Sequence, residues 1–419
     1  MKQNTTYKQT ELGLIPEDWE LKKLGKVGEI DKKSLNSNTD KEYEFDYISL
    51  SDVDSDQFSI KTSKQKFKNA PSRARRIVKK GDVLLSTVRP NLEGFTIIRD
   101  EVKDLIASTG FAVITSKNEL HNEYLFNFLF SNIIKRQFHK LLVGSNYPAI
   151  NSSDVKNLKI PLPPLQEQKK IADCLSTWDS AIEKQSALIN ALTQRKKALM
   201  QQLLTGKKRL PGFSGEWKEV KLGSICENFQ NGNAFSAKDY KKTGIPIVTM
   251  GNINLGGYFY FSESKSNFWI EDKSLERYEI KKGDLIIAMT DVTPEKNLIG
   301  LTSIIDIDRI FYLNQRVGHI ILKPKLADTD FIFYLSQNSY WRNQCKAFAT
   351  LGVQANLGTN DIKNINIKLP SLSEQTAIAE ILATADRELQ LQKEKLVQLQ
   401  TQKKGLMQVL LTGKKRLIN

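Results

Sequence analysis

The stretch Leu165 to Leu210 comes back as Leu372 to Leu417, at a constant offset of 207 residues and without a gap. The first copy opens Leu165-Gln166-Glu167-Gln168 and closes Leu203-Leu204-Thr205-Gly206-Lys207-Lys208-Arg209-Leu210. The second opens Leu372-Ser373-Glu374-Gln375 and closes Leu410-Leu411-Thr412-Gly413-Lys414-Lys415-Arg416-Leu417. About half of the aligned positions are identical, far above the roughly 5–10% that ordinary composition gives by chance. A repeat of this length in one register means two copies of one unit, and any fold must accommodate both.

Each copy reads as one long helix. Leu165 to Thr205 contains no Gly or Pro, only Gly405 interrupts the second copy, and Gly206 and Gly413 close them. Apolar residues recur on steps of four and three: Ile171, Leu175, Trp178, Ile182, Ile189, Leu192, Leu199 and Leu203, with Gln185 and Lys196 as polar interruptions. The second seam is Ile378, Leu382, Ala385, Leu389, Leu396, Leu399, Leu406 and Leu410, interrupted at the matching positions by Gln392 and Lys403. Polar seam residues cost stability and serve to set register or partner, so the shared Gln and Lys predict that the two helices pair with each other, as an antiparallel coiled coil. Their outer faces, including Gln166, Glu167, Lys184, Glu374 and Glu394, are expected to be exposed and available for docking.

What precedes each helix also repeats, with less identity. Trp19-Glu20-Leu21-Lys22-Lys23-Leu24-Gly25 is echoed by Trp217-Lys218-Glu219-Val220-Lys221-Leu222-Gly223, and Val78-Lys79-Lys80-Gly81-Asp82-Val83-Leu84-Leu85 by Ile280-Lys281-Lys282-Gly283-Asp284-Leu285-Ile286-Ile287. Gly-Asp before an apolar run predicts a turn feeding a buried strand. Short β-rich runs at Tyr47–Leu50, Val83–Ser86, Phe95–Ile98 and Phe111–Ile114 precede a helical run from Asn122 to Leu142, answered by a helix from Asp330 to Phe348. The expected fold is α+β with a pseudo-twofold internal repeat: a first domain over 1–160, a helical spacer over 161–210, a second domain over 211–368 and a second spacer over 369–419. Two globular parts that differ on a frame that does not are expected to be two different readers on one scaffold.

The chain carries 62 Lys and Arg against 47 Asp and Glu, a formal net charge of +15, which points to a polyanionic partner. Antiparallel helices would turn the domains by about 180°, as dimeric DNA readers present two half-sites. The rod from Ile171 to Leu203, at ~1.5 Å per residue, is about 50 Å long, enough to span a duplex turn of about 34–36 Å. Because the domains differ, the expected target is bipartite and asymmetric. Cys174, Cys226 and Cys345 are too few and too scattered for a disulfide framework or a zinc site. No apolar run approaches the ~18–20 residues of a membrane span, and a cytoplasmic location is expected.

Pro161-Leu162-Pro163-Pro164-Leu165-Gln166-Glu167-Gln168, a coiled-coil helix ending Leu203-Leu204-Thr205-Gly206, and the sequel Trp217-Lys218-Glu219-Val220-Lys221-Leu222-Gly223 together resemble the specificity subunit of type I DNA restriction-modification systems. The resemblance covers essentially the whole chain. It implies two target-recognition domains, each reading a few base pairs of a split site in double-stranded DNA, joined by two conserved helices. Those helices would dock two modification subunits that methylate adenine at N6 with S-adenosylmethionine. Restriction subunits that use ATP and Mg²⁺ to translocate and cut DNA would join them.

None of that chemistry is expected in this chain. The only Pro-Pro, Pro163-Pro164, is flanked by Leu and not by the Asn or Asp and the aromatic residue of an amino-methyltransferase tetrapeptide. No Gly-x-x-x-x-Gly-Lys-Ser/Thr loop is encoded, and His121, His139 and His319 are isolated. Asp82 with Glu101-Val102-Lys103 mimics a metal-dependent nuclease pattern, but Asp284, the counterpart of Asp82, has no matching Glu-x-Lys. Neither a catalytic residue nor a metal site is expected.

Phosphate contacts need Lys and Arg, and base edges need Arg, Asn, Gln, Asp or Glu. The candidates for phosphate contact are Lys64, Lys66, Lys68, Arg73, Arg75 and Arg76, in a polar stretch expected to be loop. Candidates at strand tips and loops of the first domain are Thr87, Arg89, Asn91, Ser108, Thr109, Ser145, Asn146 and Tyr147. Those of the second are Thr290, Asp291, Thr293, Asn314, Gln315, Arg316, Gln354 and Asn356. The family's base-reading residues vary with target and are not carried over. The rival readings are a coiled-coil structural adaptor whose charge is incidental, and a nuclease built on Asp82 and Glu101.

Overall fold

The computed structural model describes residues 6–54, 59–142, 148–292, 295–349 and 355–418. The chain divides into two compact units, Met1–Leu188 with Lys393–Asn419, and Ile189–Gln392. Each mixes sheet and helix, and each takes one end of both long helices, Leu165–Leu203 and Leu372–Leu410.

In the first unit an antiparallel sheet orders Phe95–Ile97, Val83–Ser86, Phe111–Ser116 and Gly28–Ile30. A second orders Ser63–Lys66, Glu44–Ile48, Leu105–Ser108 and Ala74–Val78, with its central pair parallel. The second unit repeats both. Thr302–Ile304, Leu285–Ala288, Val317–Leu322 and Cys226–Asn231 make one sheet, and Phe268–Trp269, Ile245–Val248, Phe311–Leu313 and Glu279–Ile280 the other, again with a parallel central pair. The Gly-Asp turns behave as expected. Gly81 and Gly283 take φ of 86° and 95°, the left-handed region that glycine enters without steric cost. Asp82 and Asp284 accept from the Lys79 and Lys281 amides at 2.9 and 2.8 Å, and the strands that follow are buried throughout.

Three expected elements are corrected. The run Asn122 to Leu142 is two helices, Asn122–Phe128 and Asn132–Leu142, because the Ser131 hydroxyl accepts from the Ile134 amide and starts a new helix. Likewise Asp330 to Phe348 is split into Thr329–Ser336 and Ser339–Phe348 by Asn338, whose side chain caps the Tyr340 amide. The polar stretch expected to be loop holds strands Ser63–Lys66 and Ala74–Val78 around a turn.

The long-helix segments meet inside each unit through reciprocal ion pairs. In the first, Glu167 holds Arg416 at 2.7 Å and Asp179 holds Lys403; in the second, Glu374 holds Arg209 at 2.6 Å and Asp386 holds Lys196 at 2.5 Å. As numbers rise from 167 to 179 along one segment, those of its partners fall from 416 to 403. Every one of these residues stands 207 positions from its counterpart, so each copy supplies the acids for the other's bases. The polar seam lysines thus have partners, Asp179 and Asp386, that lie on the helix faces beside the apolar steps. Ile171 and Leu175 pack with Trp19, Tyr124, Met407 and Leu410 in the core of the first unit, and Ile378 and Leu382 with Leu203, Phe331 and Trp341 in that of the second. Ile182, Leu192, Ala385 and Leu389 are buried, whereas Trp178, Ile189, Leu199, Leu396, Leu399 and Leu406 are half-buried.

The expectation that Glu167 and Glu374 are exposed is overturned. Each is almost wholly buried because its carboxylate receives two guanidinium bonds from the closing Arg of the other copy. Trp19 adds its indole N–H to Glu167 at 3.0 Å. Gln166, Lys184 and Glu394 are exposed. The Gln of the opening motif is buried too. Gln168 donates to the carbonyls of Glu119 and Pro163 and accepts from the His121 amide, while Gln375 donates to Leu326 and Pro370 and accepts from Asp328. The motif Leu-x-Glu-Gln therefore ties a helix start to its own domain through Gln and to the other copy through Glu.

Candidate nucleic-acid interface

Three chain segments converge at one edge of each unit. In the first, the Thr87 amide donates to Gly110, Arg89 to Pro148 and Ile150 to Thr87, while Val88 bridges Ala149. In the second, Met289 donates to Arg316 and Leu357 to Met289, while Thr290 and Asp291 pair with Asn356 and Ala355. The bonding is equivalent, so Val88 corresponds to Thr290, Arg89 to Asp291, Gly110 to Arg316 and Ala149 to Asn356. One backbone frame thus carries quite different side chains in the two units.

The first-unit edge extends through Thr109, whose amide donates to the carbonyl of Arg73. Arg73, Arg89, Asn91 and Thr109 are exposed. Arg89 has φ 49°, the left-handed region that costs a non-glycine residue of order 1–3 kcal/mol. Four further basic candidates have partners within the unit. Lys66 pairs with Glu44 at 3.0 Å, Lys68 with Glu42 at 2.6 Å, and Arg76 with the half-buried Asp31 at 3.0 Å. Arg75 lies over the Phe67 ring at 4.9 Å. Thr87 is buried and its hydroxyl donates to Gly110, and Ser108 is buried beneath the Gly110 amide. Lys64 is exposed on its strand. Ser145, Asn146 and Tyr147 lie outside the described residues, as do Thr293 and Gln354.

In the second unit Gln315, Arg316 and Asn356 are exposed. Thr290 and Asp291 are buried; the Asp291 carboxylate accepts from the Leu298 amide at 2.6 Å and the Thr290 hydroxyl meets the Met250 sulfur. Asn314 is largely buried, its side-chain oxygen accepting from the Arg316 amide at 3.2 Å. Asn231 and Asn233 were not singled out from sequence but belong to this edge. Asn233 exchanges backbone bonds with Leu313 and Gln315, and Asn231 accepts from the Thr359 hydroxyl at 3.0 Å. Gly232 between them lets the two segments touch, since a Cβ there would lie 2.2 Å from the Asn314 carbonyl oxygen. The signal available in sequence was Gln230-Asn231-Gly232-Asn233 itself, amide side chains around a glycine at the end of a strand.

The nuclease constellation does not assemble. Asp82 is buried, holding the Thr115 hydroxyl at 2.6 Å, and burial raises its carboxyl above the usual range. Glu101 is exposed and pairs with Lys80 at 3.1 Å. Among the described residues no three His, Cys, Asp or Glu side chains form a metal-binding group, and no helix is long and apolar enough to cross a membrane.

The chain matches the model of the type I restriction modification DNA specificity domain twice, over residues 16–194 and 214–401. The chain belongs to that family. Among its relatives, the type I restriction enzyme MjaVIII specificity subunit of Methanocaldococcus jannaschii is 30% identical over 97% of this chain and 95% of its own length. The EcoKI specificity subunit of Escherichia coli is 23% identical over 64% of this chain and 59% of its own. The crystal structure of the HsdS subunit from Thermoanaerobacter tengcongensis superposes with a TM-score of 0.53 at 22% identity, covering 96% of this chain and 98% of that one. A chain from a type I R-M system, solved for complex assembly and conformational transition, reaches 0.66 at 21% identity over 96% and 99%. These last two likenesses are of fold. In this specificity-domain family, then, the two-unit architecture recurs along nearly the whole length.

Proposed function

We propose that this chain is the sequence-reading subunit of a type I restriction-modification assembly, and that each of its units reads one half of a split, asymmetric site in double-stranded DNA. The observation that carries this is the pair of equivalent edges with unlike side chains: Arg89 against Asp291, Gly110 against Arg316, Ala149 against Asn356. Equal frames fix equal docking, and unlike side chains select unlike bases. The exposed residues Arg73, Arg89, Asn91, Gln315, Arg316 and Asn356 are the first candidates for contact, with Lys66, Lys68, Arg75 and Arg76 nearer to backbone support. Thr87, Thr290, Asp291 and Asn314 shape the edges that these residues present.

The two readers correspond to residues 1–160 and 211–368, and the spacers to 161–210 and 369–419. Reciprocal pairing of Glu167 with Arg416 and Glu374 with Arg209, and of Asp179 with Lys403 and Asp386 with Lys196, supports an antiparallel coiled coil with pseudo-twofold symmetry. The chain catalyses no step and binds no cofactor. Two modification subunits methylate adenine at N6 with S-adenosylmethionine, restriction subunits use ATP and Mg²⁺, and the assembly works in the cytoplasm.

Co-expression with the modification subunit, followed by sequencing that maps N6-methyladenine in random DNA, tests this reading. Methylation in one asymmetric two-part motif is the expected result, and exchange of residues 211–368 for another reader changes one half of it. A well-formed complex that methylates no motif would return the chain to the adaptor reading.

A further inference from the structure

A basic groove in the first unit takes no part in the edge described above. The helix Asn132–Leu142 and the end of the helix Leu372–Leu410 line a cavity of about 580 Å³ with Lys135, Arg136, His139 and Lys414, and with the polar groups of Asn132, Gln408 and Thr412. Among the described residues no carboxylate lines it. Arg136, His139 and Lys414 are exposed. Gln408 turns its side-chain oxygen to the Asn132 amide at 3.1 Å, which leaves its NH₂ as a further donor. Lys135 pairs with Glu93, and Lys135 and His139 also line the neighbouring pocket that contains Asn91 and Pro148. The groove thus adjoins, across Lys135 and His139, the pocket beside the Arg89–Pro148 edge.

The second unit has the same frame with its cations differently placed. Gln137 and Gln344 bind Lys159 and Asn366 in the same two-bond pattern, which aligns the helices at the offset of 207. Arg136 then corresponds to Asn343 and His139 to Lys346. Arg342, the counterpart of Lys135, donates to the carbonyls of Lys296, Asn297 and Ile299, and Lys346 to that of Glu295. Lys207, the counterpart of Lys414, is exposed, so the second unit keeps three cations but turns two of them onto its own carbonyls.

We infer that the groove between the helix Asn132–Leu142 and Lys414 is a track for the DNA backbone, holding phosphates beside the half-site read by the first unit. This rests on the DNA-reading assignment and extends it to flanking duplex. Adjacency to the reading edge favours DNA over an acidic protein segment. Each phosphate neutralised releases counterions and adds about 0.9 to the slope of log K against log salt.

The test compares the wild-type assembly with Arg136→Gln/Lys414→Gln in the full chain, using a fluorescent duplex of random sequence across a salt series. The expected result is a slope lower by about 2 and an affinity lower on the order of tenfold at physiological salt, with the methylated motif unchanged and Arg136→Lys/Lys414→Arg retaining the wild-type slope. An unchanged slope overturns the track. Loss of modification subunits from the variant on gel filtration, with the slope kept, assigns the groove to an acidic protein segment and also overturns it. Failure of the wild-type assembly to methylate a split motif would sink the reading of the edges, while the salt comparison would still decide the groove.

Discussion

Arg416→Met removes a guanidinium that makes two bonds to a buried carboxylate. Glu167 would then keep the Trp19 indole N–H at 3.0 Å and the Leu417 amide at 3.4 Å but lose both bonds at 2.7 and 2.8 Å and the opposing charge. Asp18, which shares Arg416, is exposed and adds little. Breaking a buried ion pair by removing one partner costs about 3–5 kcal/mol, and the surviving indole bond places this case near 3 kcal/mol. For a unit of this size that lowers the melting temperature by roughly 10 °C. Calorimetry should show the loss in the transition that contains Trp19, and the double variant Arg416→Met/Glu167→Gln should recover most of it, because no buried charge is then left unpaired. A single-variant cost under about 1 kcal/mol, or a double variant as unstable as the single, would refute the view that this carboxylate is buried and dependent on the other repeat.

Gly232→Ala drives a Cβ against the Asn314 carbonyl; methylation mapping should show the second half of the motif lost or relaxed and the first half intact. Gln168→Leu leaves three backbone groups without partners, at a cost of about 2–3 kcal/mol, and hydrogen exchange at the His121 amide should accelerate ahead of its neighbours. Burial pushes the Cys226 and Cys345 thiols up to about 11 and about 12, so at pH 8 a thiol reagent should label the half-buried Cys174 first. The same shifts fix a sign. Above the ordinary thiol value near 9 the unfolded chain releases protons that the folded chain retains, so stability contributed by these thiols is full below pH 9 and is lost between there and about pH 11–12; urea midpoints across that range measure it.

The repeat and its register, the two long helices and the Gly-Asp turns were legible because they depend on local periodicity and on residues with strong backbone preferences. The apolar steps were legible for the same reason. The acids that answer the seam lysines were present as the identical pair Asp179 and Asp386, yet nothing local marks an aspartate as the partner of a lysine about 200 positions away. Glu167 and Glu374 looked solvent-facing for that reason, since a charged helix residue is ordinarily hydrated and only an Arg delivered by the other copy makes burial tolerable. The breaks at Ser131 and Asn338 were missed where a cap competed with a continuing apolar pattern.

Among the contact candidates, sequence located the strand tips but did not distinguish exposed side chains from those turned inward. Arg89 and Arg316 stand out from their edges, while Thr87, Thr290 and Asp291 are spent on neighbouring backbone. That choice depends on which segments meet: Gly110 with Thr87, Leu298 with Asp291, Asn233 with Asn314. The sequence by itself determined that there are two copies of one frame carrying two different sets of polar tips. Only the tertiary structure decided which polar groups turn inward to hold the frame together and which face outward, because that depends on how segments far apart in the chain meet and bond to one another.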